Sequence, residues 1–205
     1  MRQLLVILFI IASLNPCSNY HDGDMSDHFD GNRFFDPEVQ YSNNFWSFLK
    51  WQITKKSTTW PNFVEVKKYD TPPKKVFGDK IRISNVGHVT FLIQTQGLNI
   101  LTDPVWSKRA SPISFVGPRR VIDPGIKFDD LPPIDVVWIS HNHYDHLDIN
   151  TIKKLWAKHK PRIITPLGND TIIHSYDKKI QVESYDWGDE IKISDNVKLH
   201  LTPMQ

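Results

Sequence analysis

The sequence predicts an α/β (α+β) fold in which strands dominate and helices are interspersed, and three observations carry that prediction. Segments 81–84, 89–95 and 98–102 are rich in β-branched and aromatic residues, and the last two are separated by the tight pair Gln96-Gly97. The apolar run Val136-Val137-Trp138-Ile139 ends abruptly in a polar loop, as a buried strand does where it leaves the core. Behind that loop Ile152, Leu155, Trp156 and His159 recur at helical spacing, and the preceding Asp148 suits a helix N-cap.

In chain order, strands are expected at 81–84, 89–95, 98–102 and 135–140, followed by a helix over 149–159. Further strands are expected at 162–165, 181–184, 190–193 and 197–202, with a short helix over 169–176. Composition divides the remainder into two parts. In residues 1–17, Arg2 precedes an apolar stretch from Leu4 to Leu14 that is broken only by Ser13. This stretch falls short of the roughly twenty residues needed to cross a bilayer, and it reads as an export signal. Cys17 is the single cysteine, so no internal disulfide can form. Its place behind the apolar run makes it a candidate for lipid attachment, although Leu14-Asn15-Pro16 lacks the small residue that usually precedes such a cysteine. The expectation is an exported, periplasmic or membrane-associated protein.

Residues 18–75 read as a polar leader followed by an aromatic-rich segment containing Phe34, Phe35, Phe45, Trp46, Phe48, Trp51, Trp60 and Phe63. A helix over 42–54 would place Phe45, Phe48 and Leu49 on one stripe with Trp46 at its flank, a wider apolar surface than one core contact needs. That surface either packs over a sheet edge or meets lipid. Residues 76–205 then form the main domain. Lys and Arg number 25 against 23 Asp and Glu, a formal charge of +2 that gives no argument for a nucleic-acid surface.

The chemistry concentrates in His141-Asn142-His143-Tyr144-Asp145-His146. Alternate side chains of an extended stretch share a side, so His141, His143 and Asp145 can converge while His146 turns to a neighbouring position. Imidazoles and a carboxylate suit a divalent transition metal, and two ions roughly 3.5 to 4 Å apart can share one activated water. The residues alone therefore indicate half of a two-metal hydrolytic centre, with Asp145 as its catalytic carboxylate. Asp103 ends the strand Asn99-Ile100-Leu101-Thr102 and could hydrogen-bond a ligating imidazole, although a carboxylate before Pro104 also suits an ordinary turn. Arg109, Arg119 and Arg120 lie in the proline-rich loop 103–133, where they either meet a phosphate or an anionic membrane surface or simply stay solvated.

The six-residue motif resembles the signature of the metallo-β-lactamase fold. The longer string LPPIDVVWISHNHYDHLD at 131–148 resembles the N-acyl-phosphatidylethanolamine-hydrolysing phospholipase D family, as do Gly87-His88, LTDPVWSKRASP at 101–112, GPRR at 117–120, Pro166-Leu167-Gly168 and Thr202-Pro203. The resemblance implies an αββα sandwich, of which this chain holds the N-terminal half plus an N-terminal extension. It implies two Zn2+ ions, the first on His141 and His143 and the second on Asp145 and His146, with Asp103 steadying the ligand loop. It also implies a phospholipid substrate, N-acyl-phosphatidylethanolamine, cleaved to N-acylethanolamine and phosphatidic acid at a membrane surface.

The family pattern continues beyond a segment similar to Thr202-Pro203-Met204-Gln205 with a histidine, a bridging aspartate and a final histidine. His200 stands before that segment, and His21, His28, His88, His159 and His174 match no ligand position of the pattern. The expectation is accordingly the N-terminal part of such an enzyme, binding zinc weakly and turning over little, with one sheet face left without its partner layer. The alternatives are another hydrolase of the same fold, of lactonase or nuclease type, and a non-catalytic, membrane-tethered fragment.

Overall fold

The computed structural model describes residues 20–38, 45–56, 59–113 and 115–203, which fall into two compact units, Met1–Lys56 and Ser57–Gln205. The expected export signal and Cys17 lie outside the described residues. No helix among the described residues is long and apolar enough to cross a membrane.

In the first unit a short loop folds back on itself. The Ser26 amide donates to the Phe29 carbonyl and the Phe35 amide to the His28 carbonyl, each at 2.9 Å, and the Phe29 and Phe34 rings lie 4.7 Å apart. Helix α1, Phe45–Thr54, is the described part of the helix expected over 42–54. From Trp46 onward its large apolar side chains stay on the surface, with Trp46 72% and Ile53 76% exposed.

In the second unit the segment before the first strand is tied into the sheet. Asp70 accepts from Arg82 Nη2 at 2.7 and 2.9 Å, and the carbonyls of Pro73 and Lys74 accept from the buried amides of Gln94 and Asn99. The main sheet runs in the order β1-β2-β3-β4-β5-β6. Its strands are β1 (Ile81–Gly87), β2 (Thr90–Thr95), β3 (Leu98–Thr102), β4 (Val136–Trp138), β5 (Arg162–Pro166) and β6 (Glu183–Tyr185). The first three form an antiparallel meander and the next three are added in parallel. Helices α2 (Ile149–His159) and α3 (Asn169–Tyr176) occupy the connections from β4 to β5 and from β5 to β6, as parallel pairing requires. A separate hairpin joins β7 (Glu190–Lys192) to β8 (Lys198–His200).

Register explains the two faces. Leu92, Leu101, Val137 and Ile163 stand opposite one another across β2 to β5 and pack with Ile152 and Leu155 of α2 and Ile173 of α3. Each side chain so buried contributes roughly 1.5–3 kcal/mol. On the other face Ile83, Ile93, Ile100 and Val136 form a row, and the hairpin residues Ile191 and Leu199 cover its Ile100 and Val136 end. At the β1 end Ile81 and Ile83 remain 67% and 63% exposed.

Several boundaries differ from expectation for identifiable reasons. β1 extends to Gly87 through a bulge between Asn85 and Gly87. β4 is shorter than 135–140, because Ser140 is drawn away from the sheet by Asp103. The last parallel strand shifts from 181–184 to Glu183–Tyr185, where Arg162 grips both Glu183 oxygens at 2.6 and 2.7 Å. β8 stops at His200, since the Leu201 amide donates to Asp189 instead.

Candidate metal centre

The ligand loop hangs from the C-terminal ends of β3 and β4. At the end of β3 the chain turns through Asp103, a non-glycine residue in the left-handed region at φ +37°. The Asp103 amide donates to the Trp138 carbonyl at 2.8 Å, and its own carbonyl accepts from the fully buried Thr90 hydroxyl at 2.6 Å. Asp148 closes the other end of the loop. It caps α2 through the Thr151 amide and also accepts from the Ser107 amide and hydroxyl, each at 2.8 Å. Fixing both ends of the loop holds its side chains in place before anything binds.

A chain of hydrogen bonds assigns the tautomers of two histidines. The Asp103 carboxylate can only accept, so it receives the Ser140 amide at 2.7 Å, the Ser140 hydroxyl at 2.7 Å and His146 Nδ1–H at 3.0 Å. Having given its proton to Asp103, the Ser140 hydroxyl accepts from His141 Nδ1–H at 2.9 Å. Both imidazoles therefore keep Nε2 as a lone-pair donor, the form a metal requires. Burial, and then the neighbouring His146 and His143, hold the His141 pKa below the ordinary imidazole value against the pull of Asp103 and Asp145, which favours the neutral ring.

The rest of the loop is more open. His143 lies with its ring 4.6 Å from that of His141, whereas His141 and His146 are closer at 3.8 Å. Asp145 Oδ2 is 3.9 Å from His146 Nε2 and 2.9 Å from Nε2 of His88. Burial pushes the Asp145 carboxyl upward, but the hydrogen bond from His88 and the further contributions of its own backbone, His146 and His88 outweigh it, leaving Asp145 below the usual carboxylate range. His88, Asp145 and His146 bring three potential ligand atoms within 4.8 Å of one another. His141 and His143 stand beside that group, with the His141 ring 3.8 Å from that of His146.

His88 is the site residue that sequence reasoning left without a role. Its signal was the Gly87-His88 pair, since a glycine before a polar residue between two strands marks a turn that can aim a side chain sideways. The other histidines lie elsewhere. His200 faces Glu190 on the hairpin at 3.5 Å, His174 meets the Ile180 carbonyl, His159 is on α2, and His21 and His28 join the aromatic loop of the first unit.

A cavity of about 570 Å³ opens beside the loop, lined by His88, His143 and Asp145 on one side and by Trp60, Val105 and Ile122 among others. Arg119 and Arg120 also line it. Arg120 is committed to the backbone, donating to the Val105 carbonyl at 2.7 Å and the Ser107 carbonyl at 3.4 Å, and Arg109 donates to the Gly117 carbonyl at 2.6 Å. Both guanidiniums hold the 103–120 excursion in shape, where carbonyls lack strand partners.

The donor set fits divalent metal: two imidazoles with Nδ1 already engaged, a third imidazole and an ionised carboxylate, all on one loop anchored at both ends. Residues 98–205 match the beta-lactamase superfamily domain. The chain is 37% identical over 117 residues to an uncharacterized protein of Mycobacterium tuberculosis, covering 57% of this chain and 32% of that one. It is 45% identical over 85 residues to N-acyl-phosphatidylethanolamine-hydrolyzing phospholipase D 1 of Caenorhabditis elegans, covering 40% and 24%. Among solved structures it is similar to Igni18, a metallo hydrolase of Ignicoccus hospitalis, at 19% identity and a TM-score of 0.43 over 60% of this chain and 48% of the other. The chain thus spans about a third of the mycobacterial relative and about a quarter of the nematode one. The superfamily match extends over more than half of the sequence and contains the whole ligand loop, and the chain belongs to the beta-lactamase superfamily domain family.

Proposed function

We propose that this chain carries the ligand loop of a zinc-dependent phosphodiester hydrolase of phospholipase D type, acting on N-acyl-phosphatidylethanolamine to release N-acylethanolamine and phosphatidic acid. The observation that carries this reading is the 45% identity to the nematode phospholipase over 85 residues. His141, His143, Asp145 and His146 would hold the two ions. When bound, such a pair supplies Lewis acidity toward a phosphoryl oxygen and an activated water.

The chain's own residues do the rest. Asp103 and Ser140 hold the His141 and His146 rings with Nε2 as acceptor. Asp145, held below the ordinary carboxylate range, is ionised at neutral pH and serves as a ligand rather than as a proton donor. The mostly apolar cavity beside it admits the lipid part of a substrate, and Arg119 at its wall places a cation near a phosphate. The zinc-loaded chain and a zinc-loaded full-length relative should be assayed on N-acyl-phosphatidylethanolamine, a bis-aryl phosphodiester and a lactone. Cleavage of the two phosphodiesters supports the reading, and turnover of the lactone alone removes it.

A membrane surface is the proposed place of action, with α1 as its contact. Trp46 and Trp51 are 72% and 55% exposed, and Lys50, Lys55 and Lys56 accompany them with no acid from residue 39 to residue 64. Amphipathic tryptophans and lysines favour an anionic lipid interface. Replacing both tryptophans by alanine should weaken co-sedimentation with vesicles containing phosphatidylserine by about tenfold; unchanged sedimentation would dismiss α1 as the contact.

A further inference from the structure

The feature that the motif does not account for is the turn between β1 and β2. β1 carries a bulge between Asn85 and Gly87, Gly87 has φ +135°, and His88 itself is left-handed at φ +52°. Non-glycine residues adopt that conformation uncommonly, and a bulge characteristically re-aims a side chain. Here both departures serve one contact. They carry an imidazole from a strand turn 57 residues away in sequence to within 2.9 Å of Asp145 Oδ2.

We propose that His88 is a positioning residue of the metal centre, holding the Asp145 carboxylate for its metal by donating Nε2–H to Oδ2. The inference rests on Asp145 being a ligand, as in the function proposed above. The proton's place follows from chemistry. An ionised carboxylate only accepts, so Nε2 carries the hydrogen and His88 acts through Asp145 rather than ligating at that nitrogen. A carboxylate oxygen has a second lone pair, and His146 Nε2 lies 3.9 Å from the same oxygen, on the scale of two donors around one ion. Asp145 is 40% exposed, so without this bond its side chain would rotate into solvent. Partners that orient a ligand in this way typically change metal affinity 10- to 100-fold.

The test is Zn2+ and Co2+ binding to the 205-residue chain, measured against a chromophoric chelator for the unsubstituted protein, His88→Ala and His88→Gln. His88→Ala should weaken one ion at least tenfold, and His88→Gln should restore most of the loss because its amide N–H reaches a similar place. His88 is half-exposed, so thermal unfolding of the metal-free variants should match that of the parent. Affinity in His88→Ala equal to the parent's, or His88→Gln as weak as His88→Ala, overturns the role of His88 while leaving the centre intact. A parent chain that binds neither metal sinks the reading of the centre instead. Nitrogen-15 spectra of the metal-free protein separate the two cases. They should show His88 protonated at Nε2, with that resonance displaced in Asp145→Ala, and no displacement would again overturn the proposal.

Discussion

The inner and outer halves of the ligand loop are held by different means. On the inner side His146 and Asp103 are 17% and 10% exposed, and Ser140 joins both to His141 at the ends of two core strands. On the outer side Asp145 and His88 are 40% and 51% exposed, and they meet through a single hydrogen bond across a cavity wall. The inner half is thus part of the folded scaffold, its tautomers set by a buried carboxylate. The outer half is more open to solvent, and it borders the cavity. Metal affinity should depend on both halves, whereas stability should depend mainly on the inner one.

Asp103→Ala gives the largest expected effect. It removes the acceptor for the Ser140 amide, the Ser140 hydroxyl and His146 Nδ1–H together, leaving buried donors unpaired. A stability loss of about 3 kcal/mol or more should follow in urea unfolding of the metal-free chain. Asp145→Ala, which breaks one exposed contact, should cost about 1 kcal/mol or less in the same measurement. In chelator competition both variants should lose metal by at least tenfold. Equal stability losses would erase the distinction between the halves.

What the sequence disclosed follows the same division. The helix at Ile149–His159 was placed to the residue because its signals are local: Asp148 accepts from the Thr151 amide, and Lys160 closes the helix at φ +49° just before Pro161. The Gln96-Gly97 turn and β3 were equally readable from adjacent residues. Asp103 was open to two readings, a support for the loop or a turn residue, and its position serves both. His88 had only the Gly87-His88 turn as a signal, and nothing local named its partner, which lies far along the chain and is met only through the bulged turn. The arginines were open to two readings, an anion contact or a solvated loop. In the structure Arg109 and Arg120 donate to carbonyls of their own loop. The ties made by Asp70 and by the Pro73 and Lys74 carbonyls were also hidden, because they act through contacts with residues in the sheet.

The smallest expected effect is one of pH, and it separates metal retention from scaffold stability. Hydrogen bonds from Arg82 and Arg162 hold Asp70 and Glu183, respectively, below their ordinary values of 3.8 and 4.5. A carboxylate depressed in the folded state contributes stability that is present above its unfolded value and lost as pH falls through the folded one. These pairs are about one-third exposed, so each should be worth about 1 kcal/mol or less after solvent screening, and only below about pH 4 should its loss appear. The metal ligands respond earlier, because protons compete with a metal ion for the imidazole nitrogens. Lowering the pH from about 7 to about 4.5 should therefore strip the metal, while the urea midpoint of the metal-free chain falls only slightly, because His141 and His159, held below the ordinary imidazole value by burial, lose a little stability on protonation. A midpoint that falls in step with metal release, measured on the metal-free protein, would mean that protonating the loop histidines unfolds the scaffold as well. In that case the imidazoles of the inner half, rather than the ion pairs of Asp70 and Glu183, would set the acid stability of the scaffold.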